Sequence, residues 1–378
     1  MSEPPRTSNG VRRIFILAGE ASGDAYGGAL VAALLDAQPG LEIRCWGGES
    51  MEKAGATCSR HYRTLAFMGV WEVLKNARTI RERLRECWNE IQQFQPDVFV
   101  GIDYPGFNLR MARKAHEAGI ITHHYISPSV WAWKKNRIHS IRRDIDCMHV
   151  ILPFEKQWYA QENMEVQWVG HPLLELLPSE EQPISSSKHG ERPQLLLLPG
   201  SRKQELDSML RVMLAAAKAL PQFDPVIAGA PGRTDADYAA ATAVGVPVRF
   251  GQTRTLMASC DVALVTSGTA TLEAALMGLP HVICYKTSWL TYAAARLLVK
   301  SKWIGLPNLL LRRSVVPERI QSDCTALALV ADVNALHDGR KLAPAAQLQL
   351  DGFAELARSL KAHRPASELV SAAILQGT

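Results

Sequence analysis

The feature that most constrains this chain is an alternation: short apolar runs, each followed by an amphipathic stretch of helical period, recur along most of its length. That is the pattern of βαβ units around a parallel sheet. In the first half the expected strands are Ile14–Ala18, Glu42–Trp46, Val98–Ile102, Ile121–Ile126 and Cys147–Leu152, with helical patterns over Ala25–Leu35, Ile80–Gln93 and Asn108–Ala118. In the second half Leu195–Leu198, Val226–Ala228, Val246–Phe250, Val262–Thr266 and His281–Tyr285 read as strands, and Glu205–Leu220 as a helix. A length of 378 residues exceeds what one hydrophobic core usually supports, so two domains are expected. They divide as 1–177 and 194–345, with a polar, proline-containing linker or surface loop at 178–193 (PSEEQPISSSKHGERP) and terminal helices in 346–378. The simplest architecture is α/β: two doubly wound Rossmann-like domains facing across a cleft, with ligands at the carboxyl ends of strands.

Composition narrows the partners. A formal net charge of +5 suits an anionic small molecule or an acidic membrane surface and is too weak to argue for nucleic acid. The seven cysteines are scattered and contain no C-x-x-C pair, which argues against a disulfide framework or a zinc site and fits a reducing cytoplasm. The start, MSEPPRTSNGVRR and then IFILAG, lacks the apolar length of a signal peptide, so the short run is read as a first strand. No apolar segment is long enough to cross a bilayer.

Five loops carry candidate chemistry. Gly19-Glu20-Ala21-Ser22-Gly23-Asp24 joins the first strand to a helix; it offers backbone N–H groups to an anion or a sugar hydroxyl, or it is a simple turn with Asp24 near the helix start. The loop GIDYPGFN places Asp103 at a strand's carboxyl end, where a carboxylate can take a proton from a hydroxyl. Asn108 is the better cap for the helix that follows, which leaves Asp103 for chemistry. Ser127-Pro128-Ser129-Val130-Trp131-Ala132-Trp133, with Lys134, Lys135 and Arg137 behind it, combines stacking surfaces with positive charge. His123 and His124 lie in the strand before it; one should face the core, and neither reads as a metal ligand.

In the second half, Gly200-Ser201-Arg202 and Glu205 follow a strand. Arg202 can hold a diphosphate bidentately, while Ser201 as helix cap with Glu205 in the first turn explains the same residues structurally. Ser267-Gly268-Thr269-Ala270 runs from a strand into a helix through small residues that let a phosphate approach the helix N-terminus, and Glu273 is placed for ribose hydroxyls. No P-loop lysine follows, which argues against a nucleoside-triphosphate hydrolase. Two D-x-D patterns, Asp144–Asp146 and Asp235–Asp237, sit away from strand carboxyl ends and read as solvated surface, so no metal is expected. The apolar segment containing Met68, Val70, Trp71, Val73 and Leu74 precedes Lys75, Arg78, Arg81, Arg83 and Arg85, and Trp289–Trp303 mixes similar residues. Both fit interfacial binding to anionic lipid, and both also fit amphipathic core helices with solvated charged faces.

Taken together these motifs, with LPFEK (152–156), VGHPL (169–173) and LPNLL (306–310), resemble the lipid-A-disaccharide synthases, inverting transferases of the GT-B fold. The likeness runs from Gly19 to about Asn308. It implies transfer of 2,3-diacylglucosamine from UDP to 2,3-diacylglucosamine 1-phosphate (lipid X), giving the β-1,6-linked disaccharide 1-phosphate and UDP. It further implies no cofactor and no metal, C-terminal helices that return to the N-terminal domain, and a peripheral place on the cytoplasmic face of a Gram-negative inner membrane. It admits a homodimer with exchanged C-terminal parts. Residue by residue, Asp103 takes the place of the general base. Arg202, Glu205, Ser267–Ala270, Glu273 and Asn308 fall at UDP-binding positions, and Met68–Leu74 at the acyl-chain and membrane patch. Many relatives carry a second Asp where this chain has Gly106, which strengthens Asp103 as sole base. Two rivals stand beside this reading. A UDP-N-acetylglucosamine 2-epimerase would need no acylated acceptor, and a nucleotide-sugar binding module would bind UDP without turnover.

Overall fold

The computed structural model describes residues 10–65, 77–132, 135–177, 192–287 and 302–376. Met68, Val70, Trp71, Val73 and Leu74, the pair Trp133 and Lys134, positions 178–191 of the expected linker, and 288–301 of the second apolar–basic segment lie outside the described residues. The chain forms two compact units, Met1–Leu176 with Leu360–Thr378, and Leu177–Ser359.

The first unit is built on a parallel sheet of seven strands: β1 (Arg13–Ala18), β2 (Glu42–Gly47), β3 (Thr57–His61), β4 (Val98–Ile102), β5 (Ile121–Tyr125), β6 (Cys147–Val150) and β7 (Gln167–Trp168), in the order β3-β2-β1-β4-β5-β6-β7. Its central strands are apolar throughout because both faces are covered. Phe15, Leu17 and Phe99 are buried against Ile91, Phe107 and Met111 from helices Ala77–Phe94 and Pro105–Glu117. The same double cover corrects the expectation for the paired histidines: His123 and His124 point to opposite faces and both are fully buried. The edge strands β3 and β7 escaped the sequence reading because TCSRH is polar and only partly buried, and QW is two residues long. Asp144, expected on a solvated surface, is buried and ion-paired with Arg143 at 2.6 Å, whereas Asp235 is exposed.

The second unit repeats the plan with β8 (Gln194–Leu198), β9 (Asp224–Gly229), β10 (Val248–Phe250), β11 (Val262–Thr266), β12 (His281–Tyr285) and β13 (Glu318–Ile320), all parallel, in the order β10-β9-β8-β11-β12-β13. Helices Lys203–Lys218 and Ala326–Leu336 bury Leu206, Met213 and Val333 on one face. Helices Thr253–Ser259 and Thr269–Leu276 bury Met257 and Ala274 on the other.

The two terminal helices part company. Pro344–Leu360 stays with the second unit as far as Ser359, and there Gln349 Oε1 accepts the N–H of His281 at 2.9 Å. Ala366–Gln376 closes the first unit by lying on helix Ala21–Ala37, with Ser371 Oγ donating to the carbonyl of Ala33 at 3.2 Å. No helix among the described residues is long and apolar enough to cross a membrane.

Candidate active site

In each sheet the chain starts at a central strand, builds outward to one side, then returns to build outward to the other. Loops leaving the carboxyl ends of the two central strands therefore diverge and open a crevice, the usual ligand position in doubly wound sheets. The switch falls between β1 and β4 in the first unit and between β8 and β11 in the second. The four loops involved contain Glu20, Asp103, Arg202 and Gly268.

In the first unit Ala18 pairs with Ile102, so Gly19 and Asp103 leave the sheet side by side. The Tyr104 ring lies over Gly19 so closely that a Cβ there would sit 2.3 Å from it, which only glycine permits. Asp103 and Tyr104 are both left-handed, with φ of 45° and 47°, and Ile126 at the end of the neighbouring β5 has φ 72°. Non-glycine residues pay for such conformations only where the surroundings over-determine them, and they gather at functional sites. Here the Asp103 N–H donates to the Tyr125 carbonyl at 2.8 Å, and Tyr104 Oη donates to the Leu65 carbonyl at 2.8 Å. Asn108, expected as a helix cap, instead lies inside helix Pro105–Glu117, because proline at the first position starts the helix earlier. Its buried Nδ2 reaches the carbonyls of Leu17 (3.3 Å), Ile102 (3.1 Å) and Asp103 (2.7 Å), tying the strained turn to both central strands.

Burial, and then the charge of Glu20, push the Asp103 carboxyl up from the usual 3.8 to about 6, against the opposing backbone hydrogen bond at Tyr104. A carboxylate so tuned is a proton acceptor near neutrality. In the rest of the first loop Ser22 is exposed and Gly23 is buried, both within the first turn of helix Ala21–Ala37. Asp24 has a structural task, since its carboxylate accepts the N–H groups of Ser50 (3.0 Å) and Met51 (3.3 Å) at the start of helix Glu49–Lys53.

Ser127 is buried and shares a 2.7 Å hydrogen bond with Tyr159 Oη. Trp131 packs edge-on to Phe154 and donates from Nε1 to Glu155 Oε1 at 3.2 Å. Glu155, not singled out from sequence, is buried, accepts the Leu152 N–H at 3.0 Å, and is pushed up to about 7 by that burial. Its signal was present as an acidic residue in the first helical turn after Pro153.

Among the described residues, His123, Cys147 and His149 bring three ligand-type atoms within 4.8 Å. His123 Nδ1 and His149 Nε2 are 3.0 Å apart, with ring centroids at 5.2 Å and planes 20° apart. Two nearly coplanar rings joined end to end have one nitrogen's hydrogen aimed at the other's lone pair, whereas a metal needs two lone pairs converging beside them. The pair is an N–H···N bond between neutral imidazoles, since burial lowers His123 to about 4 and holds His149 well below its ordinary value.

In the second unit Val265 pairs with Leu198, which again sets two loops side by side. Gly200 has φ 105°, and a Cβ there would meet Glu205 Cβ at 2.7 Å. Helix Lys203–Lys218 begins with Arg202, not Ser201, at the cap position. Glu205 accepts the Arg202 N–H at 3.3 Å and its Nη1 at 3.2 Å, leaving the Arg202 side chain 61% exposed. Arg233, another residue the sequence reading passed over, donates from Nε to the Ser201 carbonyl at 3.0 Å and fastens the β9 loop to this turn.

Gly268, with φ 154°, caps helix Thr269–Leu276, and Thr271 Oγ1 donates to its carbonyl at 2.8 Å. Ala270 follows Thr269 in the first turn, where helix N–H groups have no intrahelical acceptor. Glu273 pairs with Arg254 Nε at 2.7 Å. Asn308 is fully buried: Nδ2 donates to the Val316 carbonyl (2.7 Å) and Glu318 Oε1 (2.9 Å), and Oδ1 accepts from Val315 (2.7 Å) and Val316 (2.8 Å). Glu318 also accepts the N–H groups of Ile304 and Gly305, both at 3.0 Å, and the Ile304 carbonyl accepts Ser267 Oγ at 3.1 Å. Asn308 thus fixes the turn that holds Ser267. No short motif announces Glu318 or Arg254, because each is paired with a residue distant in sequence.

Known proteins share the two-sheet architecture. The family described as Lipid-A-disaccharide synthetase matches residues 14–372. The lipid-A-disaccharide synthase of Alcanivorax borkumensis is 38% identical over 373 residues, covering 96% of both chains. That of Pseudomonas putida KT2440 is 37% identical, covering 96% of this chain and 97% of its own. Among solved structures, the glycotransferase of kitacinnamycin superposes with a TM-score of 0.64 at 14% identity, covering 97% of this chain and 99% of its own. A UDP-N-acetylglucosamine 2-epimerase described as such for Listeria monocytogenes reaches 0.63 at 13% identity, covering 95% of each chain, which is a likeness of fold alone. The two-sheet α/β plan is that of the GT-B glycosyltransferases, and the chain belongs to the lipid-A-disaccharide synthase family.

Proposed function

We propose that this glycosyltransferase moves 2,3-diacylglucosamine from UDP onto 2,3-diacylglucosamine 1-phosphate, with inversion. The observation that carries the reading is Asp103: a carboxyl pushed up to about 6, held in a doubly left-handed turn at the switch point of its sheet. Asp103 accepts the proton of the acceptor's 6-hydroxyl as that oxygen bonds to the donor's anomeric carbon. The bond from that carbon to the diphosphate breaks, and the electron pair leaves with UDP. Negative charge growing on the diphosphate is met by Arg202 and by the N–H groups at the start of helix Thr269–Leu276, with Gly200, Ser201, Ser267, Gly268, Thr269 and Ala270 shaping the loops. Glu273 takes the ribose hydroxyls. Glu20, Ser22, Gly19 and Trp131 belong to the acceptor side.

The segment Met68–Leu74 and the basic residues after it suit the acyl chains and an anionic membrane surface, which supports a peripheral place on the cytoplasmic face of the inner membrane. The curated relatives, at 37–38% identity, favour this reaction over epimerisation. The test is UDP release from UDP-2,3-diacylglucosamine in detergent micelles, with and without the 1-phosphate acceptor, read with mass spectrometry of the lipid. A disaccharide 1-phosphate formed only when both are present is expected. UDP release or sugar isomerisation without acceptor would overturn the reading.

A further inference from the structure

Helices Thr253–Ser259 and Thr269–Leu276 lie on the same face of the second sheet and share one core, in which Leu256, Met257 and Cys260 of the first side meet Ala274 and Met277 of the other. Each helix follows a strand's carboxyl end, so both N-terminal turns rise on the ligand side. Arg254 stands in the first turn of one, and Glu273 one turn into the other. Their side chains cross between the helices, with Nε to Oε1 at 2.7 Å. Helical side chains lean toward the helix N-terminus, which aims Glu273 at the crevice and not down the helix. Glu273 is 17% exposed and Arg254 42%.

We propose that Arg254 is a positioning residue of the nucleotide site, whose guanidinium holds one oxygen of Glu273 so that the carboxylate presents its other lone pairs to the vicinal hydroxyls of a ribose. The inference rests on reading this region as the UDP site and adds to it the means by which ribose is recognised. A carboxylate has about four acceptor directions. One is taken by Arg254, and two hydroxyls 1,2-related on a ring need two more in a fixed plane. Without an anchor the carboxylate rotates about its last bond, and that freedom is lost on binding. The guanidinium also offsets the repulsion between the Glu273 carboxylate and a nearby diphosphate. A half-exposed ion pair contributes little to folding, so a purely structural tie would leave ribose recognition untouched.

The experiment is calorimetric titration of the full-length protein with UDP and with 2′-deoxy-UDP, for wild type, Arg254→Gln, Arg254→Lys, Glu273→Gln and the double glutamine variant. Wild type is expected to prefer UDP by about tenfold, the usual scale for a charge-assisted hydrogen bond. Each glutamine variant should lose that preference by weakening UDP alone. The double variant should be no worse than either single one, and Arg254→Lys should recover part of the ratio. Arg254→Gln that keeps the ratio, or weakens both nucleotides equally, would overturn the role of Arg254. Wild type that binds UDP without preference would remove Glu273 from the ribose. Wild type that binds neither nucleotide would overturn the nucleotide site itself.

Discussion

The two switch points share a topology and differ in what they do with it. At β1/β4 the loops are strained and bring two carboxylates together: two consecutive left-handed non-glycine residues, a buried carboxyl, and the charge of Glu20 acting on it. At β8/β11 the positive φ values fall on Gly200 and Gly268, and the charged residues are paired, Arg202 with Glu205 and Arg254 with Glu273. The first arrangement holds a carboxylate in an unfavourable state, which is what the proposed general base requires. The second lowers the cost of bringing backbone close to an anion, which suits binding.

The sharpest way to break this division is Asp103→Asn. Turnover should fall about 10³-fold, at the scale of a lost general base, while calorimetric UDP affinity stays unchanged. Loss of both would show that the two crevices are not separate in function. The variant also tests strain through stability. Because the folded state raises the Asp103 pKa from 3.8 to about 6, the group's favourable contribution is present below 3.8 and is lost as pH rises through 6. At pH 8 Asp103→Asn should therefore melt higher than wild type, by roughly 2–4 °C per kcal/mol gained.

Next in size is Gly200→Ala. A Cβ at φ 105° and 2.7 Å from Glu205 should cost about 1–3 kcal/mol and weaken UDP binding about tenfold. The pH dependence of turnover should not move; if it does, the loop belongs to the chemistry as well.

The smallest effect is expected from Glu20→Gln. Turnover in wild type should decline below about pH 6 as Asp103 takes up a proton. Removing the Glu20 charge, second to burial among the causes, should move that limb to lower pH by a fraction of a unit. A limb that stays put would mean burial alone tunes Asp103.

Much of this organisation was legible in the residues. The central strands are apolar on both faces, so their runs were visible, and Val98–Ile102, Val262–Thr266 and His281–Tyr285 were found to the residue. The loops at the switch points were legible because glycines, hydroxyls and acidic residues stand directly after such runs. What hid from the sequence was anything decided by a distant partner. Asn108 looked like a cap because the helical pattern starts there, yet proline begins the helix three residues earlier and its amide serves the strands. Asp24 looked like part of a ligand loop and caps a helix 26 residues away in sequence. Glu155 and Arg254 carry no period or motif that names their partners, Trp131 and Glu273.

Helix Ala366–Gln376 lies on helix Ala21–Ala37, and its Ser371 bonds to Ala33 across 338 positions of chain. During synthesis the amino-terminal sheet therefore emerges long before its last covering element exists. The second unit, with contiguous sequence from Leu177 to Ser359, has every strand and helix in hand before that final segment leaves the ribosome. The first unit is in this sense the last to be finished, and loss of helix Ala366–Gln376 would strip its sheet of that cover while leaving the second unit's own elements intact.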